Sequence, residues 1–268
     1  MLMSKFLKSH PKREPSCRPS KQRTVSLGKW LGAMVALPPA LVNTVGDQQA
    51  AQQPEVPVAA RAFFGNCTKW GPQALGFIAQ LEEHSYGVGI LAETHVGEAE
   101  SLKLYRDLER LGWAARASHA RQKHNGTSGG VVIFWKVNLQ VWPVFKCERQ
   151  TAEDPHCLDQ GLDWVFRRWH LKQLTIAIGG AYFECSDSIG GTNAQRLLEI
   201  ENFVARCRLP FVIFADWNMD PNELEQSGWL TRFGGMIRLP RDCDITCTSG
   251  RGRIIDFVLC SASFGGLS

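Results

Sequence analysis

The run Phe211-Val212-Ile213-Phe214-Ala215 leads directly into Asp216-Trp217-Asn218-Met219-Asp220-Pro221. An acid and a carboxamide two residues apart can hold a divalent cation, activate a water and donate to a phosphate oxygen. Taken alone, the pair is equally a strand ending in a turn, because Asp, Asn and Pro all favour turns. Other apolar runs end in the same manner. Asn66 follows Ala62-Phe63-Phe64-Gly65, Glu93 follows Gly87 to Ala92, and Asp256 lies within Ile254 to Cys260. Tyr182 falls near the end of a further run from Leu174 to Phe183. Packing does not ask for charged oxygens at such places, and each costs several kcal/mol unless it is paired or bound to a cation. Strands lying side by side would bring these oxygens together, and hard oxygen ligands suit Mg²⁺, with Mn²⁺ as a substitute.

Each residue also has a plainer role available. Glu93 and Thr94 suit the first turn of a helix. Tyr182 could be a core tyrosine with a wet hydroxyl. Asn66 could cap the turn before Pro72, and His95 reads as an exposed loop histidine. Asp256 is hardest to explain by structure alone, because it interrupts a buried strand.

The elements that must position these side chains alternate between strand-like and helix-like patterns. Strands are expected at Ala62–Asn66, Gly87–Ala92, Gly129–Trp135, Leu174–Phe183, Phe211–Asp216 and Ile254–Cys260. Asn138 to Phe145 is the expected antiparallel partner of Gly129–Trp135, and residues 146–162 form a polar excursion. Asp163 to His170 alternates as a half-exposed strand should. Apolar stripes predict helices over Pro72–His84, Glu98–Leu111 and Asn193–Cys207, with a short one over Pro221–Trp229. Hairpins mixed with strand–helix–strand units predict an α/β sandwich of two mixed sheets faced by helices.

The 268 residues suffice for one sizeable core. The formal charge of +4 is concentrated at one end. Residues 1–60 hold eight basic and three acidic side chains, and the remaining 208 hold 22 basic against 23 acidic. Bulk charge on residues 61–268 therefore gives no case for nucleic-acid binding, which must come from local sites. Residues 1–60 are basic, then apolar from Trp30 to Leu37, then Gln/Ala-rich; they read as a disordered leader or targeting segment outside the fold. No apolar run is long enough to span a bilayer, and nothing marks an obligate protein partner. The nine cysteines are odd in number and scattered, without zinc-finger spacing. With Cys185, Cys207 and Cys260 in apolar runs, they favour a reducing intracellular setting, in nucleus, cytoplasm or an organelle served by the leader.

Four motifs, taken in order, carry a family resemblance: Leu91-Ala92-Glu93-Thr94-His95, Gly129-Gly130-Val131-Val132-Ile133, Phe214-Ala215-Asp216-Trp217-Asn218 and Arg253-Ile254-Ile255-Asp256-Phe257. Together they resemble the endonuclease/exonuclease/phosphatase superfamily of metal-dependent phosphodiesterases related to DNase I. Thr246-Cys247-Thr248-Ser249-Gly250 looks most like the retroelement endonuclease branch. The resemblance covers roughly residues 60–261 and implies a DNase I-like four-layer α/β sandwich over residues 61–268. It implies Glu93 as principal Mg²⁺ ligand and Asn66 as orienting the metal site or phosphate. Tyr182 would sit over the scissile phosphate. Asp216 would orient or deprotonate the attacking water, Asn218 would donate to a phosphate oxygen, and Asp256 would match the acid that orients a catalytic His. The implied substrate is nucleic acid, DNA ahead of RNA. The family closes with a Ser-Asp-His-like segment and a final strand. After Asp256 this sequence has neither Asp nor His, so the expectation is a C-terminally incomplete relative lacking the last strand. The alternatives are an impaired relative acting as a binding module, and a hydrolase of a small phosphoester such as a phosphoinositide.

Overall fold

The computed structural model describes residues 35–36, 61–81, 84–124, 126–145, 159–172, 174–240, 246 and 253–265. One mixed sheet is built from β1 (Val35–Ala36), β2 (Arg61–Asn66), β3 (Val88–Ala92), β4 (Trp113–Ser118) and β7 (Val131–Lys136), in the order β1-β2-β3-β7-β4. A small polar hairpin, β5 (Arg121–Lys123) with β6 (Gly126–Ser128), stands apart from it. The second sheet holds β8 (Val141–Trp142), β9 (Gln160–Gly161), β10 (Trp164–His170), β11 (Thr175–Tyr182), β12 (Phe211–Asp216), β13 (Gly235–Arg238) and β14 (Asp256–Ser261). Its order is β13-β14-β12-β11-β10-β8, with β9 also paired to β10. The helices are α1 (Pro72–Leu81), α2 (Ser101–Arg110), α3 (Gly191–Cys207), α4 (Pro221–Gln226) and α5 (Trp229–Phe233).

Three apolar cores explain the layering. Phe64, Val88, Ile90, Val131 and Ile133 of the first sheet meet Val165, Ile178, Val212, Phe214 and Val258 of the second. On the outer face of the first sheet, Phe63, Leu91, Val132 and Phe134 take Ile78 of α1 and Leu104 and Leu108 of α2. On the outer face of the second, Phe166, Phe211, Ile213 and Leu259 take Leu197, Ile200 and Phe203 of α3, Leu224 of α4 and Phe233 of α5. The order is helices, sheet, sheet, helices, so the central strands are covered on both sides and read as unbroken apolar runs.

Several expectations need correction. Val141–Trp142 pairs antiparallel with β10 of the second sheet, not with β7. The turn after Lys136 carries the chain from one sheet to the other. The strand β10 is not half-exposed: five of its first six residues are buried between the inter-sheet core and α3. The helix expected over Pro221–Trp229 ends at Gln226, and Gly228, at φ +82°, separates it from α5, which begins at Trp229. The strands β4, β5, β6 and β13 were not anticipated. Asp256 opens β14 instead of interrupting it. Cys185 is exposed, not a packing thiol. The segment expected to lie outside the fold contributes a strand among the described residues, where Val35 and Ala36 pair antiparallel with Ala62 and Arg61. The rest of the leader, residues 146–158 and Cys17, Cys147, Cys157, Cys243 and Cys247 lie outside the described residues.

Candidate active site

Strand register places most of the site. β11, β12 and β14 are neighbours, and Tyr182 lies opposite Asp216, which lies opposite Asp256. The residue after each, Phe183, Trp217 and Phe257, points to the other face, as a period of two requires. Those three rings form a parallel stack, with centroids 4.8 Å apart for Phe183–Trp217 and 5.0 Å for Trp217–Phe257. Trp217 Nε1 also donates to the Phe257 carbonyl at 2.9 Å. The stack belongs to the helix-side core, whereas Tyr182 belongs to the inter-sheet core. Aromatic packing on one face thus fixes the polar side chains on the other, toward the first sheet.

The first sheet meets them there. Asn66 ends β2, one register step from Glu93, its partner on β3 being Ala92. Its Nδ2 donates to Asp216 Oδ2 at 2.8 Å, and its Oδ1 accepts from Thr68 N at 2.9 Å. The asparagine therefore both caps its own turn and bridges the sheets. Glu93 follows β3 at φ +55°, with His95 at φ +56° and Asn218 at φ +51°. Left-handed backbone at these three non-glycine residues is a cost that surrounding structure must offset, as is common where chemistry is done.

The electrostatics show the acids crowding one another. Burial, then Asp256, then Glu93 push the Asp216 carboxyl well above the usual carboxylate range, against hydrogen bonds from the Asn66 side chain and the Asn218 backbone. Burial pushes Asp256 up to about 7, with Glu93 adding to it and a hydrogen bond with Thr246 opposing it. Tyr182 is raised by burial, then by Glu93 and Asp216, with Ser128 opposing. It stays a neutral hydrogen-bond donor. Cys67, next to Asn66, is pushed by burial to about 12 and remains an unreactive thiol.

Asp216 Oδ1 and Asp256 Oδ1 are buried and, among the described residues, accept no hydrogen bond. Without a cation these acids must hold protons or bear uncompensated charge, and carboxylate oxygens free of donors suit a cation. Among the described residues no three His, Cys, Asp or Glu side chains are grouped so that they could hold a metal ion. A cation here would rest on one or two carboxylates and be completed by water.

Every candidate from the sequence, Asn66, Glu93, Tyr182, Asp216, Asn218 and Asp256, is thus found at one end of the two sheets. Asn218 is partly committed, since Nδ2 donates to the Phe183 carbonyl at 2.8 Å. Asp256 faces Asp216 and Thr246, not a histidine, among the described residues. His95 is half-buried instead of exposed, with Nδ1 against the Thr127 carbonyl at 2.7 Å and its own carbonyl accepting from Thr127 Oγ1. Four contributors were given no role in the site by the sequence. Thr246 Oγ1 accepts from the backbone N–H groups of Ile255 and Asp256, at 2.8 and 2.9 Å, and so sets where Asp256 begins its strand. Ser128 hydrogen-bonds Tyr182. Gly129 and Gly130, at φ +77° and +83°, link β6 to β7 and accept from His95 and Thr94 through their carbonyls. The glycine pair and Thr246 left a signal, each as part of a motif quoted for the family resemblance, whereas Ser128 left none.

A sequence profile of the endonuclease/exonuclease/phosphatase family matches residues 63–266. The chain belongs to that family. The fold agrees with solved family members. The endonuclease domain of TRAS1, a telomere-specific non-LTR retrotransposon, superposes with a TM-score of 0.51 at 14% identity, covering 78% of this chain and 88% of that one. A family protein from Leptotrichia buccalis gives 0.52 at 10% identity, covering 75% and 88%. The catalytic domain of Xenopus laevis APE2 gives 0.50 at 16% identity, covering 77% and 83%. A search of curated proteins finds no match. No helix among the described residues is long and apolar enough to cross a membrane.

Proposed function

We propose that this family member is a Mg²⁺-dependent phosphodiesterase that hydrolyses nucleic-acid phosphodiester bonds, with Mn²⁺ able to replace Mg²⁺. The observation that carries the proposal is the pair of buried, unpartnered oxygens, Asp216 Oδ1 and Asp256 Oδ1, beside Glu93. Glu93 and Asp256 Oδ1, with water, would hold the cation, and Asn66 would orient Asp216 beside it. When bound, the cation supplies positive charge for the phosphate oxygens. Asp216, with its basicity raised by burial and by neighbouring acids, orients the attacking water and takes its proton. Tyr182, held protonated, donates to a phosphate oxygen as negative charge develops there. Asn218 positions its amide at the same phosphate while anchored to the Phe183 carbonyl.

Nucleic acid is the favoured substrate because the endonuclease domain of TRAS1 and the catalytic domain of APE2 share this fold. A small phosphoester is the second reading. Two observations favour it: acids slightly outnumber bases over residues 61–268, and Arg121 and Lys123 beside the site are spent on Asp163 and Glu184. The test incubates the full chain with supercoiled plasmid, single-stranded RNA and an inositol-phosphate panel, in Mg²⁺ and in EDTA. Mg²⁺-dependent nicking or RNA cleavage that disappears in Glu93→Ala and Asp216→Ala supports the proposal. Cleavage that survives both substitutions, or phosphate release from the inositol panel alone, refutes it.

A further inference from the structure

Asp163 takes no part in the reacting cluster, yet it is fully buried and holds a left-handed backbone at φ +61°. A lone carboxylate at that depth costs several kcal/mol, so its surroundings must compensate it. Oδ2 accepts from Arg196 Nη2 of α3 at 2.8 Å and faces Arg121 Nε of the β5–β6 hairpin at 3.0 Å. Oδ1 accepts from Gly130 N at 2.8 Å. Its own carbonyl accepts from Tyr182 N at 2.9 Å. The carbonyls of Gly130 and Gly129 accept in turn from Thr94 and His95, the two residues after Glu93.

One residue thus reaches both halves of the site, by its side chain on one and by its backbone on the other. Through Gly130 it holds the turn that carries Glu93, and through its backbone it holds the end of β11 that carries Tyr182. The contact is tight. A Cβ on Gly129 would stand 2.1 Å from Asp163 Oδ1 and 3.0 Å from Tyr182 Cδ1, and one on Gly130 would stand 2.6 Å from Thr94 Oγ1. The hairpin is fastened at the same place. Arg121 and Lys123 pair with Glu184, two residues past Tyr182, and Arg196 also donates to Asn193, whose Oδ1 accepts from Glu184 N.

We propose that Asp163 is a positioning residue that sets the separation of Glu93 and Tyr182, the two sheets' contributions to the pocket, by tying Gly130 and Tyr182 to one buried ion-pair hub. The proposal rests on the phosphodiesterase reading. It predicts a loss confined to kcat, because a misplacement of about 1 Å away from the chemistry costs on the order of 10²-fold.

The test compares Asp163→Asn, Tyr182→Phe and the double variant by kcat and KM on the cleaved substrate, with circular dichroism to certify folding. Expected are a kcat loss on the order of 10²-fold for Asp163→Asn, an unchanged KM, and a double variant little worse than Tyr182→Phe alone, since residues that act as a unit are non-additive. A folded Asp163→Asn with wild-type kcat, or losses that multiply in full, overturns the proposal. Should Asp163→Asn not fold, Arg121→Ala, at a partly exposed partner, carries the same cycle with a smaller loss. Backbone amide resonances of Gly130, Thr94 and Tyr182 are recorded on the same chains without substrate. All three should move together in the variant, and Thr94 and Tyr182 standing still overturns the proposal. If the wild-type chain cleaves nothing, the phosphodiesterase reading fails, and these resonances alone decide the role of Asp163.

Discussion

Asp216→Asn should make the cation-free protein more stable while destroying its activity. The side chain is 2% exposed. Its Oδ1 has no donor among the described residues, and burial, Asp256 and Glu93 all disfavour its charge. Asparagine keeps the shape and an oxygen to accept from Asn66 Nδ2, now 2.8 Å from Asp216 Oδ2, and removes the repulsion. An uncompensated buried polar group costs about 1–3 kcal/mol, and more when charged. Relieving it should add about 1–3 kcal/mol, which for a domain of this size raises Tm by roughly 2–10 °C. Scanning calorimetry in EDTA at pH 7.5 measures it. The same variant should lose on the order of 10²–10⁴-fold in hydrolysis, the usual yield of a positioned base. A cation-free variant that melts below the wild type would refute the reasoning, since it would show that Asp216 is stabilising without a cation.

Three more outcomes follow from the same geometry. Asp216 and Asp256 both bind protons more tightly folded than unfolded, so their contribution is fully present below about pH 4 and is lost as pH rises through about 7, where Asp256 titrates; in EDTA, Tm should fall between pH 5 and pH 8, and saturating Mg²⁺ should flatten or reverse that slope. Thr246→Val removes the acceptor of two backbone N–H groups at the head of β14; it should cost about 1–3 kcal/mol in urea unfolding and lower kcat more than it raises KM. Gly129→Ala forces a Cβ onto Asp163 and Tyr182 at a positive φ; it should cost at least about 1–3 kcal/mol and abolish cleavage, whereas Gly97→Ala, with open space around it, should leave cleavage unchanged.

Much of the site was legible because each half of it obeys a local rule. Asn66, Glu93 and Asp216 are polar residues at the ends of strands buried on both faces, and such runs are visible in one dimension. Their convergence followed from β2–β3 and β11–β12–β14 being neighbours, which the residues made a condition and the family resemblance implied. What could not be read is made by partners far apart in the chain. Asp163 meets Gly130 from 33 residues away, and nothing local distinguishes it from a turn aspartate. Thr246 acts on backbone amides nine and ten residues on. β4 carries Arg116 among small alanines, and the β5–β6 hairpin is polar throughout, so neither shows the alternation that marks a strand. The apparent alternation of β10 misled for another reason. Arg167 is buried against Asp159 at 2.6 Å, so a charge stands where exposure was expected.

Calorimetric titration of the metal-free chain with Mg²⁺ tests most directly whether Glu93 and Asp256 hold one cation beside Asp216. Saturable binding to a single site, lost in Glu93→Gln and weakened in Asp256→Asn, is the predicted result. Binding that is absent at millimolar Mg²⁺, or that survives both substitutions unchanged, would contradict it.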